Sequence, residues 1–531
     1  MAQLQQCVAY PSGDRMADNT LFRELCKPDV LLIGWHLAHA DSRDDFVADP
    51  VGYEDLGANL ASRLAYLLRE ISHERYRPRY PVHVDVPKSG LSVRPGTVLP
   101  MEEAALLHAI TYLIAPRLDR HLSSSVYSFR LQRDWQRRVK KGRSMFREGD
   151  AELPFLRHTT IRKIDPLEPW YLAWPEFDRE RVALVRKKGY THLTRTDISA
   201  FFENIDLGVL EAQLRALLPK EPLTIALLMR ILGSWTHTTS AGTPIGRGIP
   251  QGNDVSSFLA NLYLLPLDRA LNSFCRRNEA VWLRYVDDVE VYSKTDRQAR
   301  EVVLVVNESL RRLWLNLQGS KTEVLSGAEL ERELSTASMS AVDLASKEID
   351  RLDLSDPIDK ARTKAVLMNL RPLVASYKKN MPAGVQRLEK KRGRILRRLF
   401  TIYGRLGRRD LLRVALAVLA EPPELRMLLK ALRYLERVPY KYHDALVDSL
   451  LALLDGEVPL LPFHVAAILD CVRHLHPTRS RLNIAVRITG LALRRRTGWH
   501  VRQKALQLLS TLPSREETAL KRALNALAHW N

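Results

Sequence analysis

Short apolar runs and longer amphipathic stretches alternate along the first two thirds of the chain, and helical periodicity takes over in the last third. Apolar residues recur at helical spacing in LGANLASRLAYLLREIS and MEEAALLHAITYLIAPRLDRHL, which predicts two helices before residue 122. Between them, PVHVDVPKSG alternates Val82, Val84 and Val86 with polar neighbours, as a strand does. Residues 121–190 are rich in Arg and Trp and show no clear period, so they read as irregular connection. THLTRTDI then predicts a strand, LGVLEAQLRALL and TIALLMRILGSW two helices, VSSFLANLYLLPLDRALNSFC one long helix, and WLRYVDDVEVYS two strands about a tight turn. This mixture predicts an α+β core. After the acidic bridge SKEIDRLDLSDPID, Pro and Gly punctuate helices over 411–420, 424–438, 442–454, 463–475, 482–494, 501–509 and 516–529. Helix pairs recurring at roughly 35 to 40 residues fit a solenoid, and a compact bundle accounts for the same pattern.

Composition changes this picture through charge. The 531 residues hold 81 Lys and Arg against 61 Asp and Glu, a net charge of +20, which points to a polyanionic partner. The excess is uneven. Residues 331–531 carry 37 basic and 20 acidic side chains, whereas residues 1–330 carry 44 and 41. The first part must therefore be read through its motifs. Four cysteines without paired spacing suggest neither a disulfide framework nor a zinc site, and with no secretory leader or long apolar span a cytoplasmic location is expected.

Three segments carry chemistry. In LTRTDISAFFENID, Asp197 closes a predicted strand and Phe202 follows five residues on. In LRYVDDVEVY, Asp287 and Asp288 stand side by side at a hairpin tip, where they repel each other and need solvent or a cation. Successive strand side chains face opposite ways, so Asp287 is assigned to the centre and Asp288 to its flank. Brought together with Asp197 they could hold two Mg²⁺ ions of the kind used in phosphoryl transfer. GRGIPQGNDVSS places Gly248 and Gly252 about Pro250 and Gln251, a loop able to approach a ligand closely before a helix begins. Asp206 and Asp268 are read as structural, Glu290 could face either way, and His237, His474 and His476 form no metal-ligand grouping.

Together these segments resemble the palm of a reverse transcriptase, and the order of the matching elements covers roughly residues 80–325. Tyr285-Val286-Asp287-Asp288 looks like the family's catalytic hairpin, and Asp197 like its first metal ligand, with the carbonyl of Ile198 beside it. Gln251 and Gly252 look like its template and nucleotide loop. Phe202 looks like the steric gate, whose ring collides with a ribose 2′-hydroxyl. LNLQGSKTEVL places Lys321 near the triphosphate, and VPKSGLSVRPG resembles the fingers element, with Lys88 and Arg94 as phosphate contacts. VYSFR at 126–130 resembles the stretch that follows. For Lys88, Arg94 and Lys321, a solvated surface role is the plain alternative.

The resemblance implies a right-hand polymerase fold: an N-terminal helical region and fingers (1–120), a fingers and palm core (121–330), then an all-α thumb-like and HEAT-like helical-repeat or bundle domain (331–531). The implied function is RNA-directed DNA synthesis from dNTPs with Mg²⁺, or Mn²⁺ in its place. Untemplated and protein-primed synthesis stay open, with Tyr440 and Tyr442 as candidate primers. PQGND with Ser257, together with the long helical C-terminus, resembles the bacterial defence-associated, abortive-infection group; a retron or intron-type enzyme, or a nucleic-acid-binding scaffold with an inactive palm, are the alternatives. Implied partners are RNA, single-stranded DNA, a noncoding RNA and further copies of the chain, but no membrane. KKRGRILRRLFTIYGRLGRRD at 390–410 interleaves Phe400 and Tyr403 with arginines, which suits stacking on single strands or a plain helix with two core aromatics; Arg494–Arg496 could extend that surface.

Overall fold

The computed structural model describes residues 19–42, 57–88, 92–133, 135, 164–236, 246–337, scattered positions between 338 and 355, and residues 356–380, 390–421, 423–454, 460–476 and 498–511. The chain divides into two compact units, Met1–His83 with Gly96–Ala337, and Val84–Pro95 with Ser338–Asn531.

The first unit is organised by an antiparallel four-stranded sheet. β1 (Val82–Pro87) and β2 (Val93–Val98) form a separate hairpin, and β3 (His192–Thr196), β4 (Val281–Tyr285), β5 (Asp288–Ser293) and β6 (Glu323–Ser326) lie in the order β4-β5-β3-β6. The strand alternation divides the side chains cleanly. Trp282, Val289 and Val291 face one core, with Val302, Val306 and Leu310 of the helix Asp296–Arg311. Leu193, Leu283 and Tyr292 face a second, covered by Phe177 and Leu184 of the helix Trp170–Arg186 and by Leu330 and Leu334 of the helix Gly327–Ala337. Both faces of the sheet are thus buried.

Two expectations are corrected here. The stretch expected to be irregular contains the helix Trp170–Arg186, whose Ala173, Phe177 and Leu184 recur at helical spacing and are buried despite Pro175 within it. The single long helix expected over VSSFLANLYLLPLDRALNSFC is two, Asp254–Tyr263 and Leu265–Asn278. Pro266 has no N–H to donate, so it suits the first turn of a new helix better than the interior of an old one.

A buried ion network fixes the β4–β5 turn. Arg284 is fully buried in β4; its Nε and Nη2 donate to Asp268 Oδ1 and Oδ2 at 2.9 and 2.7 Å, and its Nη1 donates to Asn261 Oδ1 at 2.7 Å and to the Val286 carbonyl at 3.0 Å. Ser128 completes it: its Oγ accepts from Val286 N–H at 2.9 Å, and its carbonyl accepts from Asn261 Nδ2 at 2.7 Å. On the other face, buried Glu290 accepts from Arg181 Nε at 2.7 Å, Arg195 Nε at 3.2 Å and the Tyr292 hydroxyl at 2.6 Å. Glu290 therefore faces away from the first core, towards the helix Trp170–Arg186.

In the second unit the described residues from 357 to 510 are helical between turns. Helices Lys390–Arg405, Leu425–Leu435, Pro462–His474 and Trp499–Ser510 pack successively on one another, while Leu412–Ala420 and His443–Leu454 pack against their neighbours in a parallel row. Phe400 and Tyr403 are buried, and Phe400 stacks on Tyr434 with ring centroids 5.4 Å apart. Of the two readings open for them, base stacking and a helix with two core aromatics, the structure selects the second: the hydrophobic period of their helix turns both inwards. The helices expected over 482–494 and 516–529, and the Arg494–Arg496 cluster, lie outside the described residues. Among the described residues no helix is long and apolar enough to cross a membrane.

Truncating Asp268 would leave the Arg284 guanidinium buried without its counter-charge. Asp268→Ala should lower stability by about 3–5 kcal/mol in urea unfolding of the first unit. Glu301→Ala, which removes an exposed partner of Arg297, should leave the transition where it is.

Candidate active site

The sheet register brings the acidic residues together. Thr196 pairs with Val289, so the next residue, Asp197, leaves the ladder beside Asp288. Beyond β3 the chain continues along a second edge: Gln318 N–H donates to the Asp197 carbonyl and Ser199 N–H to the Asn316 carbonyl, both at 2.8 Å. These groups point to one side, so the N–H and C=O of buried Ile198 point to the other, towards β5. The same edge positions Lys321, whose Nζ donates to Asp197 Oδ2 at 2.6 Å.

The turn itself is strained. Val286 lies at φ 57°, a left-handed conformation that a β-branched residue rarely adopts, and it is held there at both ends by Ser128 and Arg284. Asp287 is half-buried in this turn and Asp288 opens β5, reached by solvent yet hemmed in by surrounding protein. Burial pushes the Asp287 carboxyl up to about 7, with the charges of Asp288 and Asp197 adding to the effect. Asp288 is raised too, by lost hydration first and then by Asp197. Glu290, two residues along the same face, shows the opposite balance: burial pushes it up, but Arg181 and then Arg195 outweigh burial and hold it low. The carboxylates at the end of the sheet are thus short of positive charge, and the one two residues inside is not.

A loop follows the first acidic segment. Gly248 N–H donates to the Ile205 carbonyl at 2.8 Å and Ile249 N–H to the Phe202 carbonyl at 2.9 Å. Gly248 sits at φ +91°, where a Cβ would stand 3.2 Å from the Glu203 carbonyl oxygen, so both conformation and space require glycine. The loop continues through Gln251, partly exposed, and Gly252 at φ 117°, to Asn253, whose side chain caps the helix Asp254–Tyr263 by accepting from Ser256 N–H at 2.7 Å. Phe202 is 8% exposed and packs against Phe201.

The structure therefore gathers Asp197, Ile198, Asp287, Asp288 and Lys321, with Phe202 tied to the loop that carries Gln251 and Gly252. Lys88 and Arg94 belong to the second unit, where Lys88 N–H donates to the Ser92 carbonyl at 2.8 Å. Asp206 caps the helix Leu207–Leu217 through Val209 N–H at 3.0 Å. His474 ends the helix Pro462–His474, while His237 lies outside the described residues. Sequence reasoning missed the support: Ser128, Asn261 and Arg284 hold the turn, with Asp268 as counter-ion. The available signal was Arg284 itself, a cation in the middle of the apolar strand VWLRY.

Residues 86–355, just over half of the chain, match the family model described as "Reverse transcriptase (RNA-dependent DNA polymerase)". The chain belongs to the reverse transcriptase family, and its matched domain is that of an RNA-directed DNA polymerase, a nucleotidyltransferase. No curated protein sequence is detectably similar. Among solved structures it is similar to the telomerase of Candida albicans in complex with a TWJ fragment of telomeric RNA, at 11% identity and a TM-score of 0.31, over 71% of this chain and 62% of that one. A C-terminally truncated apo telomerase of Candida tropicalis is similar at 11% identity and a TM-score of 0.29, over 48% of this chain and 51% of that one. The chain thus spans less than two thirds of the length of these two structures.

Domains of this family generally use divalent metal ions, typically Mg²⁺. Among the described residues no three acidic, His or Cys side chains are closed into a metal-binding group, and the ammonium of Lys321 lies against Asp197. The donor set nevertheless fits: carboxylates and a backbone carbonyl are hard oxygen donors, and Asp287 and Asp288 are raised first by burial and then by neighbouring acidic charge, Asp288 and Asp197 acting on Asp287 and Asp197 on Asp288, a repulsion that a cation would relieve.

The raised carboxyl has a signed consequence. Its folded form holds a proton more tightly than the unfolded chain, so ionisation costs stability progressively from the ordinary carboxylate range to about pH 7. In chelator, Asp287→Asn should raise the melting temperature at pH 8, and the gain should vanish below about pH 4. Thermal melts across pH check this.

Proposed function

We propose that the chain is an RNA-directed DNA polymerase that extends a primer with dNTPs using two Mg²⁺ ions, with Mn²⁺ as a substitute, in antiphage defence. The observation that carries the reading is the register that sets Asp197 beside Asp288 at the end of the turn bearing Asp287, with Lys321 the one ammonium paired to this group among the described residues. Asp197, Asp287, Asp288 and the Ile198 carbonyl would hold the metals. When bound, the ions would lower the pKa of the primer 3′-hydroxyl and neutralise the leaving pyrophosphate. Lys321, held against Asp197, would assist the leaving pyrophosphate. Gln251 and Gly252 offer backbone and amide to the incoming nucleotide, and Phe202 excludes a 2′-hydroxyl from beneath its sugar. Lys88 and Arg94 would hold phosphates.

On this reading residues 1–120 supply an N-terminal helical region and fingers, 121–330 the fingers and palm core, and 331–531 a thumb-like, HEAT-like repeat. The layered packing of the last helices supports the repeat. Their charge supports a grip on nucleic acid: Arg426, Lys430, Arg433 and Arg437 recur along one stripe of the helix Leu425–Leu435 and its end, and none makes an ion pair among the described residues. Burial and then Arg433, Arg398, Arg437 and Arg397 depress the Lys430 ammonium, a cation surrounded by cations. Phosphates would relieve that repulsion. The defence role rests on the resemblance of PQGND and the helical remainder to the abortive-infection group.

The purified protein should incorporate dNTPs in Mg²⁺, and Asp287→Ala with Asp288→Ala should lower incorporation by on the order of 1,000-fold. Unchanged incorporation overturns the reading, and tight binding by the wild type without incorporation selects a scaffold. Phe202→Val should admit ribonucleotides roughly 10- to 100-fold better relative to dNTPs, read from competing single-nucleotide additions. Changing Arg426, Lys430, Arg433 and Arg437 to Gln should flatten the salt dependence of nucleic-acid binding by about 0.7 to 0.9 in log–log slope per lost phosphate contact.

A further inference from the structure

The helix Asp296–Arg311 ends in a turn that ordinarily takes glycine. Leu315 N–H donates to the Leu310 carbonyl at 2.9 Å and Trp314 N–H to the Arg311 carbonyl at 3.1 Å, the paired bonds of a Schellman stop. Trp314 occupies its left-handed position, at φ +59°. A bulky side chain there is strained, and burial does not compensate, because Trp314 is 63% exposed. The Arg247 guanidinium lies over the ring, 5.8 Å from its centroid. Arg247 stands between Gly246 and Gly248, both at positive φ, and bridges to Asp206 in an isolated antiparallel pair.

One buried residue fixes both segments. The Tyr263 hydroxyl accepts from Asp206 N–H at 3.2 Å and donates to the Leu313 carbonyl at 2.7 Å, so the backbones bearing Arg247 and Trp314 hang from a single support. Two residues beyond Trp314, Asn316 accepts from Ser199, itself two residues beyond Asp197. A strained, exposed indole with a guanidinium against it is thus held on the same edge as the acidic group. An aromatic face takes any base by stacking, and an adjacent arginine suits the phosphate that follows the base.

We infer that Trp314 and Arg247 form a stacking platform for one base of a single-stranded nucleic acid, outside the acidic site. The inference rests on the polymerase reading, but its test uses binding alone. Binding of the full chain to oligodeoxythymidine and to an abasic strand of equal length is measured by fluorescence anisotropy at high salt. Trp314→Gly should weaken oligodeoxythymidine binding about 5- to 10-fold and leave the abasic strand unaffected, while Trp314→Phe should retain most of the affinity. Because glycine relieves the positive φ, Trp314→Gly should melt no lower than the wild type, which separates a ligand contact from a structural one. Equal binding by wild type and Trp314→Gly, equal loss on both strands, failure of the wild type to bind either strand, or a lowered melting temperature with dissociation of a wild-type oligomer would each overturn the platform. Incorporation of dNTPs, assayed separately, judges the polymerase reading.

Discussion

The acidic turn depends on a positive charge that never meets solvent. Arg284 is enclosed in β4 and directs its donors to Asp268, Asn261 and Val286, so two consecutive helices and the turn itself converge on one guanidinium. Such a group is costly to bury, and its stability depends on every partner being present. In return the turn keeps a left-handed valine that the local sequence would not choose. The position of Asp287 and Asp288 is therefore set from behind, by a polar core, and not by the two strands alone.

Around this core the sheet distributes charge unevenly along one face. Glu290 is neutralised by Arg181 and Arg195, and Arg195 is shared with Glu323 and Glu333. Asp288, two residues nearer the end, has no such partner in the described ion pairs, and Asp197 has only Lys321. Glu290 inside the sheet is thus offset by two arginines, whereas the acidic group at the sheet end is left with more negative than positive charge.

Much of the site was legible in the sequence because its residues lie in short contiguous segments. The strand before Asp197, the hairpin about Asp287 and Asp288, and the glycines at 248 and 252 all announce themselves by local pattern. The supports did not, since Ser128, Asn261 and Asp268 acquire meaning only when the chain brings them to Arg284. Helix Trp170–Arg186 was hidden by Pro175 within it and by Trp170 and Trp174 in its first turns, although its buried positions kept the helical period. Pro266 misled in the opposite direction, because one apolar stretch can hold two helices. Phe400 and Tyr403 looked available among arginines, but helical geometry turned them inward and left the charge outside.

The layered helices of the second unit have a mechanical consequence. Each described helix there leans mainly on the next one or two in sequence, so cohesion runs along the chain and little of it reaches across. A body built this way bends and twists by summing small adjustments between layers, as a spring does. A defect in one layer also weakens its neighbours more than it weakens the far end. Such a unit yields gradually, from its loosest layer outward, whereas the sheet locked by Arg284 gives way as a whole.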